Sequence, residues 1–238
     1  MVPQSRAFTV LLTRPAAQSE RFAVAVAARF PGVHVMTAPL IAPEYLQPAL
    51  PVRDWGAVIF TSETGVAAAR RIAADGYALP RLAFCVGDQT ANMAQAEGFE
   101  AVSAQGDGLA LVRLVQGQKM TGPLLYLHGA ELRADIAQML NSAGIETVSA
   151  VCYDQKAQAL TRKAVELLRQ PEPVLVPVFS ARTGHILATE YVRVSGVAPL
   201  FVAAISADVG ADLPGSGWRV AERPDAAAML EAMEIWLA

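Results

Sequence analysis

The chain has 238 residues, of which 53% are hydrophobic, with a formal net charge of -3 and an isoelectric point near 5.6. This length allows one large domain or two of ordinary size, and the hydrophobic content is enough for two cores. No run of Lys or Arg stands out, which argues against a nucleic-acid-binding protein or one that binds anionic membranes.

Apolar runs are interrupted by Pro, Arg or Gly well before the roughly 20 residues that a membrane span needs, and residues 1–8 lack the apolar core of a signal peptide. We therefore expect a soluble, cytoplasmic protein. The two cysteines, Cys85 and Cys152, lie in apolar runs without C-x-x-C spacing, and the chain has only three histidines. A metal site is not expected.

Short apolar runs that alternate with turns and helical segments predict alternating strands and helices. The predicted strands are 8–13, 33–36, 57–60, 82–86, 101–103, 124–127, 146–153, 174–178 and 200–205. The predicted helices include 18–29, 66–74, 109–115, 131–142, 160–170 and 226–237. Residues 38–55 contain four prolines, too many for a regular helix, and predict a connector that is not an ordinary crossover.

The strongest chemical signal lies in residues 55–66. A buried strand there gives way to Thr61, Ser62 and Gly65 and then to a helix. Because the first amides of a helix are unpaired and carry partial positive charge, this turn suits a carboxylate or a phosphate. Residues 174–186, with Ser180 at the turn, have the same strand, turn and helix frame.

This echo is part of a repeat of one α/β unit. Residues 124–153 match 10–36 element by element, and 200–205 match 82–86, with Ser206 in the place of Gly87. Every predicted connection carries a helix, so the pattern predicts two doubly wound parallel sheets of about five strands each. Such sheets bind ligands at the carboxyl ends of their strands, and two such edges could face each other across a cleft.

Six short stretches, taken in their order and spacing, resemble the uroporphyrinogen-III synthase family. They are Thr13-Arg14-Pro15, Phe60-Thr61-Ser62 with Gly65, Val86-Gly87 with Thr90-Ala91, Leu127 to Gly129 with Arg133, Tyr153, and Phe179-Ser180. The resemblance implies two flavodoxin-like lobes, one inserted into the other. Residues 1–37 and 172–238 would form one lobe and 54–150 the second, with 38–53 and 151–171 as connectors.

The resemblance also implies a lyase that converts the linear tetrapyrrole hydroxymethylbilane to uroporphyrinogen III, without metal or cofactor. Loss of the terminal hydroxyl as water gives an azafulvenium cation. Attack by the substituted carbon of the far pyrrole then gives a spiro intermediate, which fragments and recloses with the last ring inverted. The family implies a cytoplasmic monomer in tetrapyrrole and heme biosynthesis that could take its substrate by hand-over from the preceding pathway enzyme.

Two other classes of function stay open at the level of sequence. Two doubly wound lobes also describe a non-catalytic binding or sensor protein. A flavin or nucleotide domain ranks last, because neither G-x-G-x-x-G after the first strand nor G-x-x-x-x-G-K-[ST] occurs.

In the family, the tyrosine that matches Tyr153 faces the cleft, where its phenol could act as a general acid on the departing hydroxyl. The alternative is a tyrosine that packs between the lobes. The residues expected to bind substrate carboxylates are Arg14, Thr61, Ser62, Gly87, Thr90, His128, Gly129, Arg133, Ser180 and Ser206. The ordinary alternative roles are a helix cap for Ser62 and Ser180, turn chemistry for Gly87 and Thr90, and a solvated side chain for Arg14 and Arg133.

Overall fold

The computed structural model describes residues 8–118, 122–132, 134–210 and 212–237. Its strands are β1 (Thr9–Leu12), β2 (His34–Thr37), β3 (Ile41–Tyr45), β4 (Ala57–Phe60), β5 (Leu82–Cys85), β6 (Glu100–Ser103), β7 (Leu124–Gly129), β8 (Thr147–Ala157), β9 (Val174–Val178), β10 (Leu200–Ala204) and β11 (Gly215–Val220). Its helices are α1 (Ala16–Arg29), α2 (Glu63–Ala74), α3 (Asp88–Ala96), α4 (Gly108–Gln116), α5 (Ile136–Ser142), α6 (Arg162–Leu168), α7 (Ala181–Arg193) and α8 (Ala226–Leu237). None of these helices is long and apolar enough to span a membrane.

The chain folds into two compact units. The first comprises the described residues up to Ala42 and from Lys156 onward, and the second runs from Pro43 to Gln155. The first unit is therefore discontinuous in sequence. The chain passes from one unit to the other within β3 and returns within β8.

The first unit is built on a five-stranded sheet of order β11-β10-β9-β1-β2, in which all neighbouring strands are parallel. Side chains alternate between the two faces of a strand. Leu11 accordingly packs into the core that includes α6 and α7, while Val10 and Leu12 pack into the core that includes α1 and α8. Helices thus cover both faces, as in a doubly wound sheet.

The second unit is built on a six-stranded sheet of order β3-β8-β7-β4-β5-β6, and the five strands from β8 to β6 are parallel. Val58 and Phe60 pack on the face that carries α2 and α3, whereas Ala57 and Ile59 pack on the face that carries α4 and α5. This unit is therefore doubly wound as well.

The two sheets share one strand order. The series β11-β10-β9-β1-β2 of the first unit corresponds to β6-β5-β4-β7-β8 of the second, which is the correspondence that the sequence repeat predicts. The units differ in chain order, because the pair β1-β2 precedes β9 whereas its counterpart β7-β8 follows β4. The predicted α/β class with two similar doubly wound parallel sheets is confirmed.

Two predicted connections differ from the structure. The proline-rich segment contains no helix, as predicted, but it does contain strand β3, which includes Pro43. Because β3 lies at an edge of its sheet, a residue without an N–H is tolerated there. The connection from β10 to β11 was expected to carry a helix like α3, but the described residues between them contain turns and no helix.

Three predicted element boundaries around the second sheet are also wrong. Helix α5 begins at Ile136 and not at residue 131, because Asp135 caps it by accepting a hydrogen bond from the amide of Gln138 at 2.9 Å. Strand β7 continues through His128 and Gly129, two residues beyond its predicted end at residue 127. Strand β8 continues to Ala157, so Tyr153 does not end its strand.

Candidate active site

A helix start and a tyrosine hydroxyl meet at the carboxyl end of β4. Ser62 is the N-cap of α2, and its Oγ accepts a hydrogen bond from the backbone N–H of Gly65 at 3.1 Å. The phenolic oxygen of Tyr153 lies 2.8 Å from the same Oγ. A single serine hydroxyl therefore joins this phenol to the positive end of α2.

The ring of Tyr153 is part of the core of the second unit and is 8% exposed. It lies against Gly129, its partner in the β7–β8 register, where the ladder is irregular. Burial raises the pKa of Tyr153, and the hydrogen bond with Ser62 opposes this shift. Because burial disfavours the charged form, the phenol keeps its proton at neutral pH.

A second tyrosine hydroxyl lies on the opposite face of the same sheet. Tyr126, which is 2% exposed, has its hydroxyl 3.2 Å from Thr61 Oγ1. Its ring centre lies 4.6 Å from that of His128. Burial raises the pKa of Tyr126 as well. The Thr61 hydroxyl is therefore bonded to a residue of strand β7, whereas Ser62, one residue later, caps α2.

His128 is buried, and both of its ring nitrogens have partners inside the unit. Nδ1 lies 2.7 Å from the carbonyl oxygen of Gly129, so Nδ1 donates, because a carbonyl can only accept. In the neutral ring, Nε2 then accepts from the hydroxyl of Ser149 at 2.6 Å. These contacts fix the backbone of Gly129, which lies beside Tyr153.

Gly87 and Thr90 lie at the next helix start, after β5. Gly87 is the N-cap of α3 and has an extended backbone, with φ -154°. It offers no side chain to the first amides of α3, whereas Ser62 offers one to α2. Thr90 is buried on the inner face of α3.

The first unit repeats the serine-capped helix start after β9. Ser180 is the N-cap of α7, and its Oγ accepts a hydrogen bond from the amide of Thr183 at 3.2 Å. Its φ and ψ of -157° and 148° nearly equal the -158° and 155° of Ser62. The predicted equivalence of the two serines is confirmed. The glycines of the motif are displaced by one position, because Gly65 is the third residue after Ser62 and Gly184 the fourth after Ser180.

Arg14 follows β1, the neighbour of β9 in the first sheet. Its guanidinium carbon lies 3.8 Å from the centre of the Phe179 ring, next to Ser180 in sequence. Burial lowers the pKa of Arg14, and the nearby charge of Arg21 adds to this shift. Among the described residues no carboxylate forms an ion pair with Arg14. A half-buried cation stacked on an aromatic ring is a suitable group for a carboxylate ligand.

One other predicted site residue does not complete a helix start. Ser206 follows β10 and is exposed, and its carbonyl accepts the amide of Val209 within a turn. Arg133 lies outside the described residues.

The sequence pattern did not single out two polar partners in these networks: Tyr126 and Ser149. Tyr126 stands two residues before His128, and residues at that spacing share a face of a strand. This spacing is the one sequence signal that could have indicated a contact between Tyr126 and His128. Ser149 lies in a different strand from His128, and their contact depends on the strand register.

These features define a class of α/β protein: two similar doubly wound units, each with a serine-capped helix start at the carboxyl edge of its sheet. A family model described as uroporphyrinogen-III synthase HemD matches residues 23–231. The chain belongs to the uroporphyrinogen-III synthase family.

One solved structure shares the fold of this chain. The crystal structure of uroporphyrinogen-III synthetase from Helicobacter pylori 26695 superposes with a TM-score of 0.61 at 18% identity, covering 96% of this chain and 99% of that one. A mutant uroporphyrinogen III synthase from the extremely thermophilic bacterium Thermus thermophilus gives a TM-score of 0.48 at 18% identity, covering 97% and 99% of the two chains. No curated protein sequence matches the chain significantly.

Proposed function

We propose that this chain is a uroporphyrinogen-III synthase, a lyase that dehydrates and cyclises hydroxymethylbilane with inversion of the last pyrrole ring. The family match over residues 23–231 is the observation that carries this proposal. The comparisons give no support to the alternative of a non-catalytic binding protein.

Tyr153 is the proposed general acid. Its phenol is protonated at neutral pH, because the ordinary pKa of tyrosine is 10.0 and burial raises it further. As the C–O bond of the terminal hydroxymethyl group breaks, the Tyr153 proton moves to the departing oxygen and water leaves, which gives the azafulvenium cation. The substituted carbon of the far pyrrole attacks this cation to give the spiro intermediate, which fragments. The final bond forms at a carbon that loses a proton, so no net proton is consumed.

The substrate carries many acetate and propionate groups, and helix starts are the proposed sites that hold them. The amides at the starts of α2, α3 and α7 provide donors without a basic patch. Arg14, stacked on Phe179, adds a cation beside the start of α7. We also assign carboxylate contacts to Thr61, Thr90, Gly129, Arg133 and Ser206. His128 is not assigned one, because its side chain is buried and both ring nitrogens already have partners.

The remaining features of the proposal follow from the reactivity of the substrate. Hydroxymethylbilane closes spontaneously to the type I isomer, so a rapid hand-over from the preceding enzyme would favour type III. We further propose that the protein works as a cytoplasmic monomer. It needs no cofactor in this proposal, because the substrate supplies its own leaving group and nucleophile. Holding the linear tetrapyrrole so that its two ends meet in only one way would supply much of the rate enhancement.

The proposal is tested by supplying freshly made hydroxymethylbilane to the purified protein and identifying the isomer formed. Type III product above the spontaneous type I background supports it. Type I product alone, together with tight binding of another metabolite, would instead support the sensor.

A further inference from the structure

We propose that Ser62 is a positioning residue that orients the hydroxyl of Tyr153 and stabilises the phenolate formed when Tyr153 gives up its proton. This inference rests on the proposed function for its catalytic consequence, although its structural basis lies wholly in the second unit. The two oxygens are 2.8 Å apart, and the residues are 91 positions apart in the chain.

The number of hydrogen bonds that the Ser62 hydroxyl can donate and accept limits its possible roles. A serine hydroxyl has one hydrogen to donate and two lone pairs to accept with. The Gly65 amide, at 3.1 Å, already takes one lone pair. The serine hydrogen is then free to point at the oxygen of Tyr153, which leaves the tyrosine hydrogen free to point at a leaving group.

The helix start strengthens this arrangement. Donation from the Gly65 amide polarises the Ser62 hydroxyl and makes it a better donor, and the partial positive charge at the start of α2 acts in the same direction. The O–H bond of Tyr153 breaks as the proton moves to the departing oxygen. The negative charge left on the phenolic oxygen then faces the hydroxyl of Ser62.

Ser180 shows that capping alone does not require this contact. Its backbone angles nearly match those of Ser62 and it caps α7 in the same way, yet its Oγ lies 2.7 Å from Thr183 Oγ1, within its own helix. The bond from the cap to a distant tyrosine therefore distinguishes Ser62 from its equivalent in the repeat.

A double-mutant cycle tests the proposal. Ser62→Ala should lower turnover several-fold in the wild-type background and by less than about two-fold in the Tyr153→Phe background, because the effect passes through the phenol. Ser62→Thr, which keeps both the hydroxyl and the cap, should restore turnover. Equal losses in the two backgrounds would mean that Ser62 acts on the substrate itself, and would overturn the proposal.

A second measurement does not depend on activity. In protein labelled with ¹³C at the tyrosine ζ carbon, the Tyr153 resonance is assigned by its loss in Tyr153→Phe. Its titration midpoint should rise in Ser62→Ala and stay unchanged in Ser62→Thr. An unchanged midpoint in Ser62→Ala would contradict the proposal, whether or not the wild-type protein makes type III product.

The variant Thr161→Ala is the control for the loss of stability that follows when any helix loses its cap. The Oγ1 of Thr161 caps α6 by accepting the Ala164 amide at 3.3 Å, in the other unit. This variant should lose stability without changing turnover or the Tyr153 titration. If Ser62→Ala does not fold, Ser62→Gly replaces it, because glycine is a better N-cap residue than alanine.

Discussion

A β-carbon added to Gly129 would lie 2.6 Å from Cε2 of Tyr153. Real β-carbons do not approach so closely, and the same added atom would lie 3.0 Å from the phenolic oxygen. The absence of a side chain at residue 129 is therefore a condition for the observed position of the tyrosine. The irregular β7–β8 register at this point brings the two residues side by side.

Gly129→Ala should displace the Tyr153 ring and break its bond with Ser62. Turnover should fall at least as far as in Tyr153→Phe, and thermal unfolding should occur at a lower temperature because the ring belongs to the core. Gly144→Ala is the matched control for a glycine with open space around its added β-carbon. Its positive φ of 80° predicts some loss of stability, and we expect no loss of turnover. Wild-type turnover in Gly129→Ala would show that the ring position does not matter.

Arg14→Gln should weaken substrate binding. The variant loses a charged hydrogen bond between the guanidinium and a substrate carboxylate. We expect KM to rise about 10-fold and kcat to change much less. Arg29→Gln is the charge-matched control at the other end of α1. Its ion pair with Glu234 at 2.9 Å is formed by side chains that are 52% and 45% exposed, so its loss should have little effect on stability or KM. Equal KM values in the two variants would remove Arg14 from the carboxylate site.

Glu190 ties α7 to the segment before α6. One carboxylate oxygen accepts the Leu160 amide at 2.8 Å, and Arg193 contacts both oxygens, at 2.6 and 2.7 Å. The hydrogen bond from Arg193 is the main cause that lowers the pKa of Glu190 below its ordinary 4.5. Glu190→Ala should lower the free energy of unfolding by about 2 kcal/mol, because it leaves a buried amide without its acceptor.

The acid limb of the stability profile gives an independent check on Glu190. A carboxyl whose pKa is lowered on folding contributes stability above its unfolded pKa and loses it as pH falls through the folded pKa. Denaturant unfolding of the wild type below pH 4.5 should therefore lose stability more steeply than that of Glu190→Gln. Parallel profiles would contradict the assigned contacts.

Alkaline pH should destabilise the protein through its two thiols. Burial raises the pKa of Cys85 and of Cys152 from 9.0 to about 12. Between these values the unfolded thiols are ionised while the folded ones keep their protons, so stability falls as pH rises, by up to about 1.4 kcal/mol per pH unit for each thiol. In reducing buffer, Cys85→Ala should have a shallower slope above about pH 9 than the wild type, whatever its stability at neutral pH. An unchanged slope would mean that Cys85 titrates normally.

Local patterns were sufficient to predict the repeated sheets and the two serine caps, because a buried strand followed by hydroxyls and a helix is a short-range signal. They missed β3, since Pro43 conceals a strand that needs few of its own N–H groups at a sheet edge. They also predicted a helix after β10, because Ser206 takes the place of Gly87 in the repeat. The described residues after β10 form turns instead. The predicted cleft and the lobe boundaries drawn from the family stay predictions.

The bond between Ser62 and Tyr153 could not be predicted from a pattern, because it joins residues 91 positions apart. It depends on the β7–β8 register and on the ring fitting over Gly129. Both are properties of packing between strands, and the hydrophobic periodicity of a single segment does not report them.

The rate of type III formation by the wild type and by Tyr153→Phe, at saturating hydroxymethylbilane, tests the central claim most directly. We expect the wild type to form type III faster than spontaneous closure forms type I. We expect the variant, with an unchanged unfolding temperature, to be several-fold slower, because it lacks the proton that the departing hydroxyl needs. Absence of type III product from the wild type, or equal rates for the two proteins, would contradict the account.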